Sequence, residues 1–165
     1  MGVEKFSLDW EGEIYDCEWI DDIAFENLNK VLGVHGFIFD ENNNVCVLKF
    51  SSKEHWSPVG GGVENEDESY EATLIREIKE EADLEVKDIK RLGGIKIIPR
   101  NNPEGKHHQV RYVARVKQIN KQTIDPDAKE IPKRLFVKPE QFHKYTGWGE
   151  NDKLQIERAL KRLKE

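Results

Sequence analysis

Residues 69–82 constrain the fold more than any other stretch, because one helical period there carries two faces that cannot share an environment. Leu74, Ile75, Ile78 and Ala82 fall on one arc at helical spacing, and Ser69 is suited to the N-cap, where a hydroxyl accepts from a free N–H of the first turn. With Glu77 as origin and about 100° per residue, Glu80 and Glu81 lie on either side of it, so three carboxylates crowd an arc of roughly 100°. The apolar arc requires a surface to pack on. The acidic arc requires positive charge, since like charges at i, i+3 and i, i+4 cost about 0.2–0.5 kcal/mol each and the helix C-terminus is itself partly negative. Arg76 and Lys79 are near, yet two cations do not neutralise Glu68, Glu77, Glu80 and Glu81 together. A hard divalent cation with oxygen ligands would, and Gly60-Gly61-Gly62 just ahead of the helix lets backbone approach a ligand or a metal closely. Taken singly, the helix also reads as an ordinary solvated face and the glycines as an ordinary turn.

The packing surface is to be sought in strands. Residues 34–39 and 45–50 are apolar on either side of the turn 40–44, which reads as two antiparallel strands. Further strands are expected at about 91–98, 109–117 and 134–137, separated by the loop 100–106 and a connection holding Asp125-Pro126-Asp127. From about Asn151, Ile156, Ala159, Leu160 and Leu163 keep the spacing of an amphipathic helix. Residues 5–19 suggest a short hairpin or edge segment. Strands and helices thus interleave in one α/β body, and 165 residues suffice for a single core. The expected organisation is an N-terminal extension, 1–30, packed on a domain of residues 31–165.

Charge and composition narrow the partners. A net charge of −6 argues against sequence-independent binding to nucleic acid, which needs surplus Lys and Arg to displace counterions. It leaves room for a small phosphorylated substrate, because a metal ion reverses the sign of an acidic pocket locally. No stretch approaches the roughly twenty apolar residues of a membrane helix, and the N-terminus lacks the pattern of a secretion signal, so no membrane association and a cytoplasmic location are expected. Cys17 and Cys46 alone assemble neither a disulfide framework nor a four-cysteine zinc site, which fits a reducing compartment.

The spacing of these pieces resembles the Nudix signature: Gly, five residues, Glu, seven residues, Arg-Glu, an aliphatic, any residue, Glu-Glu, any residue, Gly, an aliphatic. Gly62, Glu68, Arg76, Glu77, Ile78, Glu80, Glu81 and Leu84 match in register, and Asp83 stands where the last Gly belongs. Trp56 and Gly60-Gly61 resemble the family lead-in, and residues 134–140 resemble its late strand and the start of the following helix. The resemblance runs from about residue 31 to 163. Left-handed backbone is expected at Asp83, which Asp tolerates better than most residues, at modest strain. A second alignment, Gly60-Gly61-x-x-Glu64, leaves open whether Gly61 or Gly62 is the structural glycine of the box.

That resemblance implies an α/β/α sandwich around a mixed central sheet, and a magnesium cofactor with manganese as substitute. Glu77, Glu80 and Glu81 would be metal ligands together with a glycine carbonyl, Gly61; Arg76 would orient a carboxylate and Glu68 would help hold the loop. The implied reaction is hydrolysis of a phosphoanhydride bond in a nucleoside diphosphate linked to another moiety, a small nucleotide-like substrate; the alternative is a nucleotide-sensing module without turnover. Glu130 and Glu104 stand beside the box glutamates as candidates for the general base. Trp56, Arg100, His107 and Glu130 are candidate substrate contacts, with His108 also near, while Tyr112 and Phe136 read either as stacking groups or as core. Residues 1–30 have three roles open to them: pairing two chains in a homodimer, covering the pocket, or extending the sheet.

Overall fold

Side-chain alternation along the strands decides which face of the sheet each residue serves, and it assigns the helices to opposite faces. The computed structural model describes residues 4–21 and 23–165; Met1 to Val3 and Asp22, which belong to the 1–30 segment, lie outside the described residues. Its strands are β1 (Glu4–Trp10), β2 (Glu13–Ile20), β3 (Val31–Phe39), β4 (Val45–Lys49), β5 (Val59–Gly62), β6 (Leu84–Pro99), β7 (His107–Ile119) and β8 (Lys133–Val137). Helix α1 (Tyr70–Glu77) runs into a π turn (Ile78–Ala82), and α2 (Phe142–Thr146) and α3 (Glu150–Lys164) close the chain.

The described residues form one eight-stranded sheet in the order β1-β2-β6-β7-β3-β4-β8, with β5 also paired to β3. The β3–β7 pair is parallel and the others antiparallel, so the sheet is mixed, as expected. On one face Phe37, Phe39, Val45, Val47 and Val113 pack with Phe142 of α2 and Ile156, Ala159 and Leu163 of α3. Their neighbours one residue along, Ile38, Cys46, Leu48, Tyr112 and Ala114, point the other way and meet Leu74, Ile78 and Ala82 of the acidic helix. This is the α/β/α sandwich. Cys17 and Cys46 are buried, free and in separate core clusters. Among the described residues no helix is long and apolar enough to cross a membrane.

Three features differ from the sequence reading. Ile75 is 47% exposed, because the buried stripe of α1 is Thr73, Leu74, Glu77 and Ile78, and Ile75 lies about 100° beyond Leu74. Strand β6 starts at Leu84 rather than near 91, but its register slips three times against β7 and Asp88 sits at φ 54°, so no clean alternation marks its first half. Strand β5 is legible in the sequence only as a glycine run. Three of its four residues have no side chain to show a period, yet it pairs antiparallel with β3 from Gly36↔Val59 to Gly33↔Gly62. The expected hairpin is β1–β2, and it extends the sheet through β2–β6 pairing from Tyr15↔Pro99 to Ile20↔Gly94.

Candidate active site

Ser69 caps α1 through its hydroxyl, which accepts the Ala72 N–H at 3.0 Å, and the helix keeps α geometry as far as Glu77. The next five residues widen into a π turn, which changes the angular spacing of Glu80 and Glu81 from that of an ideal α-helix. Ligand oxygens of Glu77 and Glu80 then lie within 4.8 Å of each other and of one from Asp127, in the loop between β7 and β8. Glu81 turns toward β5, where its Oε1 accepts the Gly60 N–H at 3.1 Å. Strand β5 lies close against the carboxylates. A Cβ at Gly61 would come 2.8 Å from Glu77 Oε2 and closer still to Cδ and Oε1, and one at Gly60 would come 2.7 Å from His35 Cα. At Gly62 the nearest atom would be 3.8 Å away. The close approach left open between Gly61 and Gly62 therefore occurs at Gly61.

Arg76 ties this assembly together. Its Nε and Nη2 donate to the two carboxylate oxygens of Asp67 at 3.0 and 2.9 Å, Nη2 also donates to the Gly62 carbonyl at 3.0 Å, and Nη1 reaches Glu77 at 2.9 Å and Glu80 at 3.4 Å. Asp67 accepts in addition from the Glu64 N–H and the Thr73 hydroxyl, so it closes the loop between β5 and α1. The Arg76 guanidinium holds the Asp67 carboxyl well below the usual carboxylate range. The cluster carboxyls move the other way. Burial pushes Glu77 up to about 7 even with Arg76 beside it, and burial, with Glu77, Asp125 and Glu80 adding, pushes Glu81 up to about 8; Glu80 is also raised, first by burial. Such groups resist ionising because negative charge is crowded where water is scarce. Oxygen donors at this spacing fit a hard divalent cation, which would relieve that resistance.

Beyond β5, on the α3 side of the sheet, lies a cavity of about 250 Å³. Its lining includes Trp10, Tyr15 and Trp148 as aromatic wall and His35, Arg111 and Gln155 as polar residues. His35 is the link to the acidic helix, since it packs on Gly60, the residue that holds Glu81. Arg111 is 3% exposed, and burial lowers it to about 10; it donates to Gln109 Oε1 at 3.0 Å and lies 3.3 Å from His35 Nδ1. Burial, then the charge of Arg111, drives His35 down to about 3, so it is neutral and accepts through Nδ1. Arg111 Nε, Trp148 Nε1 and Gln155 Oε1 are buried without a hydrogen-bond partner. A cavity with an aromatic wall and a few polar residues in its lining suits a flat polar ring.

The sequence matches the NUDIX domain family model over residues 29–158. The chain belongs to the Nudix hydrolase family. Solved structures of similar fold include a mutant of the Bacillus subtilis pyrophosphohydrolase BsRppH, with 20% identity, a TM-score of 0.69 and 96% of each chain covered. The NUDIX domain of Shewanella oneidensis NrtR, complexed with ADP ribose, has 18% identity and a TM-score of 0.59, with 85% of this chain and 92% of that one covered. The Caenorhabditis elegans Ap4A hydrolase has 18% identity and a TM-score of 0.55, covering 81% and 98%. At these identities the likeness is one of fold. No curated protein matches the chain significantly.

Of the residues proposed from sequence, the Nudix helix brings Glu77, Glu80, Glu81 and Arg76 together with Gly61, and His107 lines the cavity. Glu68 does not hold the loop: it is exposed, and Asp67 beside it takes Arg76. Glu130 binds Ser51 instead, accepting its N–H at 2.7 Å and its hydroxyl at 2.5 Å, and Glu104 is exposed in a short turn. Arg100 is engaged by Asp16 at 2.7 Å and Ser7 at 3.2 Å on the β1–β2 hairpin. Trp56 packs edge-on against Tyr145 at 5.6 Å, and His108 Nδ1 lies 2.5 Å from the Asn29 carbonyl. Tyr112 belongs to the core, edge-on to Phe25, and Phe136 is partly buried there. Sequence reasoning misses Asp67, Asp127 and Arg111. Asp67 sits one residue from a motif position, and Asp127 is indistinguishable in sequence from an ordinary turn acid. Arg111 does carry a signal, as a charge set inside the apolar run from Val110 to Ala114.

Proposed function

We propose that this protein hydrolyses a phosphoanhydride bond in a nucleoside diphosphate linked to another moiety, using magnesium, with manganese as substitute. The observation that carries the reading is the meeting of Glu77, Glu80 and Asp127 oxygens within 4.8 Å, on a helix whose Glu81 is joined through Gly60 to a ring-sized cavity. Glu77, Glu80 and Asp127 would hold the ion, with the Gly61 carbonyl beside them. When bound, the metal supplies charge neutralisation across the diphosphate and a more acidic water.

The protein's own groups do the rest. Arg76 fixes Glu77 and Glu80 and holds the Gly62 carbonyl at the end of β5 directly and the following loop through Asp67, so the carboxylates meet the diphosphate already in place. Water attacks phosphorus, the bridging P–O bond breaks, and the proton lost by the water passes to Glu81, which is held through Oε1 by the Gly60 N–H and is ionised once a bound cation offsets the crowded negative charge. The base of the nucleoside occupies the cavity along Trp10, Tyr15 and Trp148, with Arg111 and Gln155 at its polar edge. The ADP ribose bound by the Shewanella neighbour makes that compound a natural member of a substrate panel.

The test is product release from ADP ribose, dinucleoside polyphosphates, nucleoside triphosphates and sugar nucleotides with magnesium or manganese, beside a Glu80→Gln, Glu81→Gln variant. Metal-dependent turnover by the wild type that the variant lacks is expected. Equal inertness of both refutes the enzyme reading, and ligand-dependent thermal stabilisation without turnover would favour a sensing module instead.

A further inference from the structure

Asp83 departs from the motif, where a glycine belongs at the end of the helix, and what its carboxylate does is unrelated to the turn. Its backbone is left-handed, at φ 52° and ψ 46°, as a helix-ending glycine would be. The side chain reaches across to the loop between β7 and β8: Oδ2 accepts the Thr123 N–H at 2.7 Å and Oδ1 accepts the Thr123 hydroxyl at 2.9 Å. The Asp83 carbonyl accepts the Asn120 N–H at 3.0 Å as well, and Arg134 donates to the carbonyls of both Ala82 and Asn120. The start of the loop is thereby fastened to the last turn of the acidic helix.

The fastened loop is the one that delivers Asp127. Two residues after Thr123, Asp125 is 3% exposed, bridges to Glu130, and accepts the Asp127 N–H at 3.1 Å through Oδ1. The far end is held by Glu130 on Ser51. Asp127 itself is exposed, and what its position owes to the rest of the protein comes through these anchors. The geometry points to Asp83 as a positioning residue: its clamp on Thr123 sets the loop so that Asp127 meets Glu77 and Glu80 and completes the site for a divalent cation. A glycine in its place would relieve the left-handed backbone and lose the clamp.

The inference rests on the metal site of the proposed function, and metal binding without substrate reads it separately from turnover. Manganese affinity of the full chain is measured by calorimetry for the wild type, Asp83→Gly, Asp83→Asn and Asp127→Asn, with thermal unfolding of each metal-free protein as the check on folding. Asp83→Gly should bind manganese about ten- to a hundredfold more weakly, the usual consequence of removing a group that orients a ligand. Asp83→Asn, which keeps one acceptor oxygen, should lose less. In an Asp127→Asn background Asp83→Gly should cost little more, because the residue it positions is gone. Wild-type affinity in Asp83→Gly, or an undiminished loss in the Asp127→Asn background, overturns the inference. Should Asp83→Gly not unfold cooperatively, Asp83→Asn and Thr123→Val, each removing part of the clamp, carry the same comparison. Manganese binding by the wild type with no substrate turned over would defeat the hydrolase reading and leave this one standing.

Discussion

Gly61 and Gly62 offer a sharp trial of the site, because motif register and geometry disagree about which of them matters. Gly62 occupies the signature position, yet a Cβ there would find nothing nearer than the Leu32 carbonyl at 3.8 Å. Gly61 is one residue outside it, and a Cβ there would lie 2.8 Å from Glu77 Oε2 and closer to two other atoms of the same carboxylate. Restoring ordinary contact distances requires the carboxylate to move by roughly 1 Å. Glu77 has little room to do so, being 6% exposed and hydrogen-bonded to Arg76 at 2.9 Å. A displacement of about 1 Å in a positioned group costs on the order of a hundredfold in rate, or about 2.7 kcal/mol of transition-state stabilisation. Gly61→Ala should therefore lose about a hundredfold in metal-dependent turnover and bind manganese more weakly, while Gly62→Ala stays within about twofold of wild type. Steady-state kinetics on the best substrate of the panel, with manganese calorimetry on the same preparations, make the comparison. If the two alanine variants behave alike, or if Gly62→Ala is the more damaged, the close packing of β5 on Glu77 is not what the site depends on.

Three further outcomes follow from the same geometry. Arg76→Met leaves Asp67 and Glu77 without their shared cation and should lower the urea midpoint of unfolding at neutral pH, with an unchanged midpoint refuting the role of Arg76 in holding the loop. Arg111→Met replaces a buried cation that has an unpaired Nε by an apolar chain of similar length; KM should rise about tenfold or more with manganese affinity unchanged, and an unaltered KM would remove Arg111 from the substrate site. Asp152 lies at the start of α3, where burial pushes its carboxyl up to about 7 despite hydrogen bonds from Thr146 and the Trp148 N–H. The folded state thus holds a proton that the unfolded chain has released, so the Asp152 contribution to stability should fall, by up to about 4 kcal/mol, as pH rises from about 4 through about 7. Asp152→Asn should abolish that component, visible as a difference between the two stability–pH profiles; parallel profiles would refute it.

The parts of the fold that are legible in the sequence are those where side chains report a period. Residues 34–39 and 45–50 alternate between two buried faces, and Ile156, Ala159 and Leu163 keep a helical stripe, so β3, β4 and α3 are readable from their own residues. Strand β5 is not, because glycine has no side chain to place on one face or the other, and the first half of β6 is not, because its bulges interrupt the period. Ile75 is misplaced by periodicity for a related reason. A helix with only Leu74, Ile78 and Ala82 truly inward leaves its buried arc poorly bounded by apolar residues alone, and buried Thr73 and Glu77 mark the side that periodicity assigns to water.

The site divides along the same line, between what one helix can encode and what a fold must bring together. Glu77, Glu80, Glu81 and Arg76 belong to one continuous stretch, so their spacing carries information even though the π turn alters the angles between them. Asp127 lies forty-six residues beyond Glu81 in a loop whose acidic residues resemble those of any turn, and anchors that include Asp83 and Glu130 give it a fixed place beside the helix. Neither anchor declares that role in the sequence. Asp83 stands there as a flaw in the motif, with modest strain as its consequence, because a motif records what the backbone needs at a position and is silent about where a carboxylate there reaches. Glu130 stands there as a candidate base because it is an acid in a loop, whereas its two oxygens are spent on Ser51. A loop-borne carboxylate is therefore better sought by asking which residues hold its loop than by scanning the loop for acids, and in this chain the departure from the motif is the pointer to it.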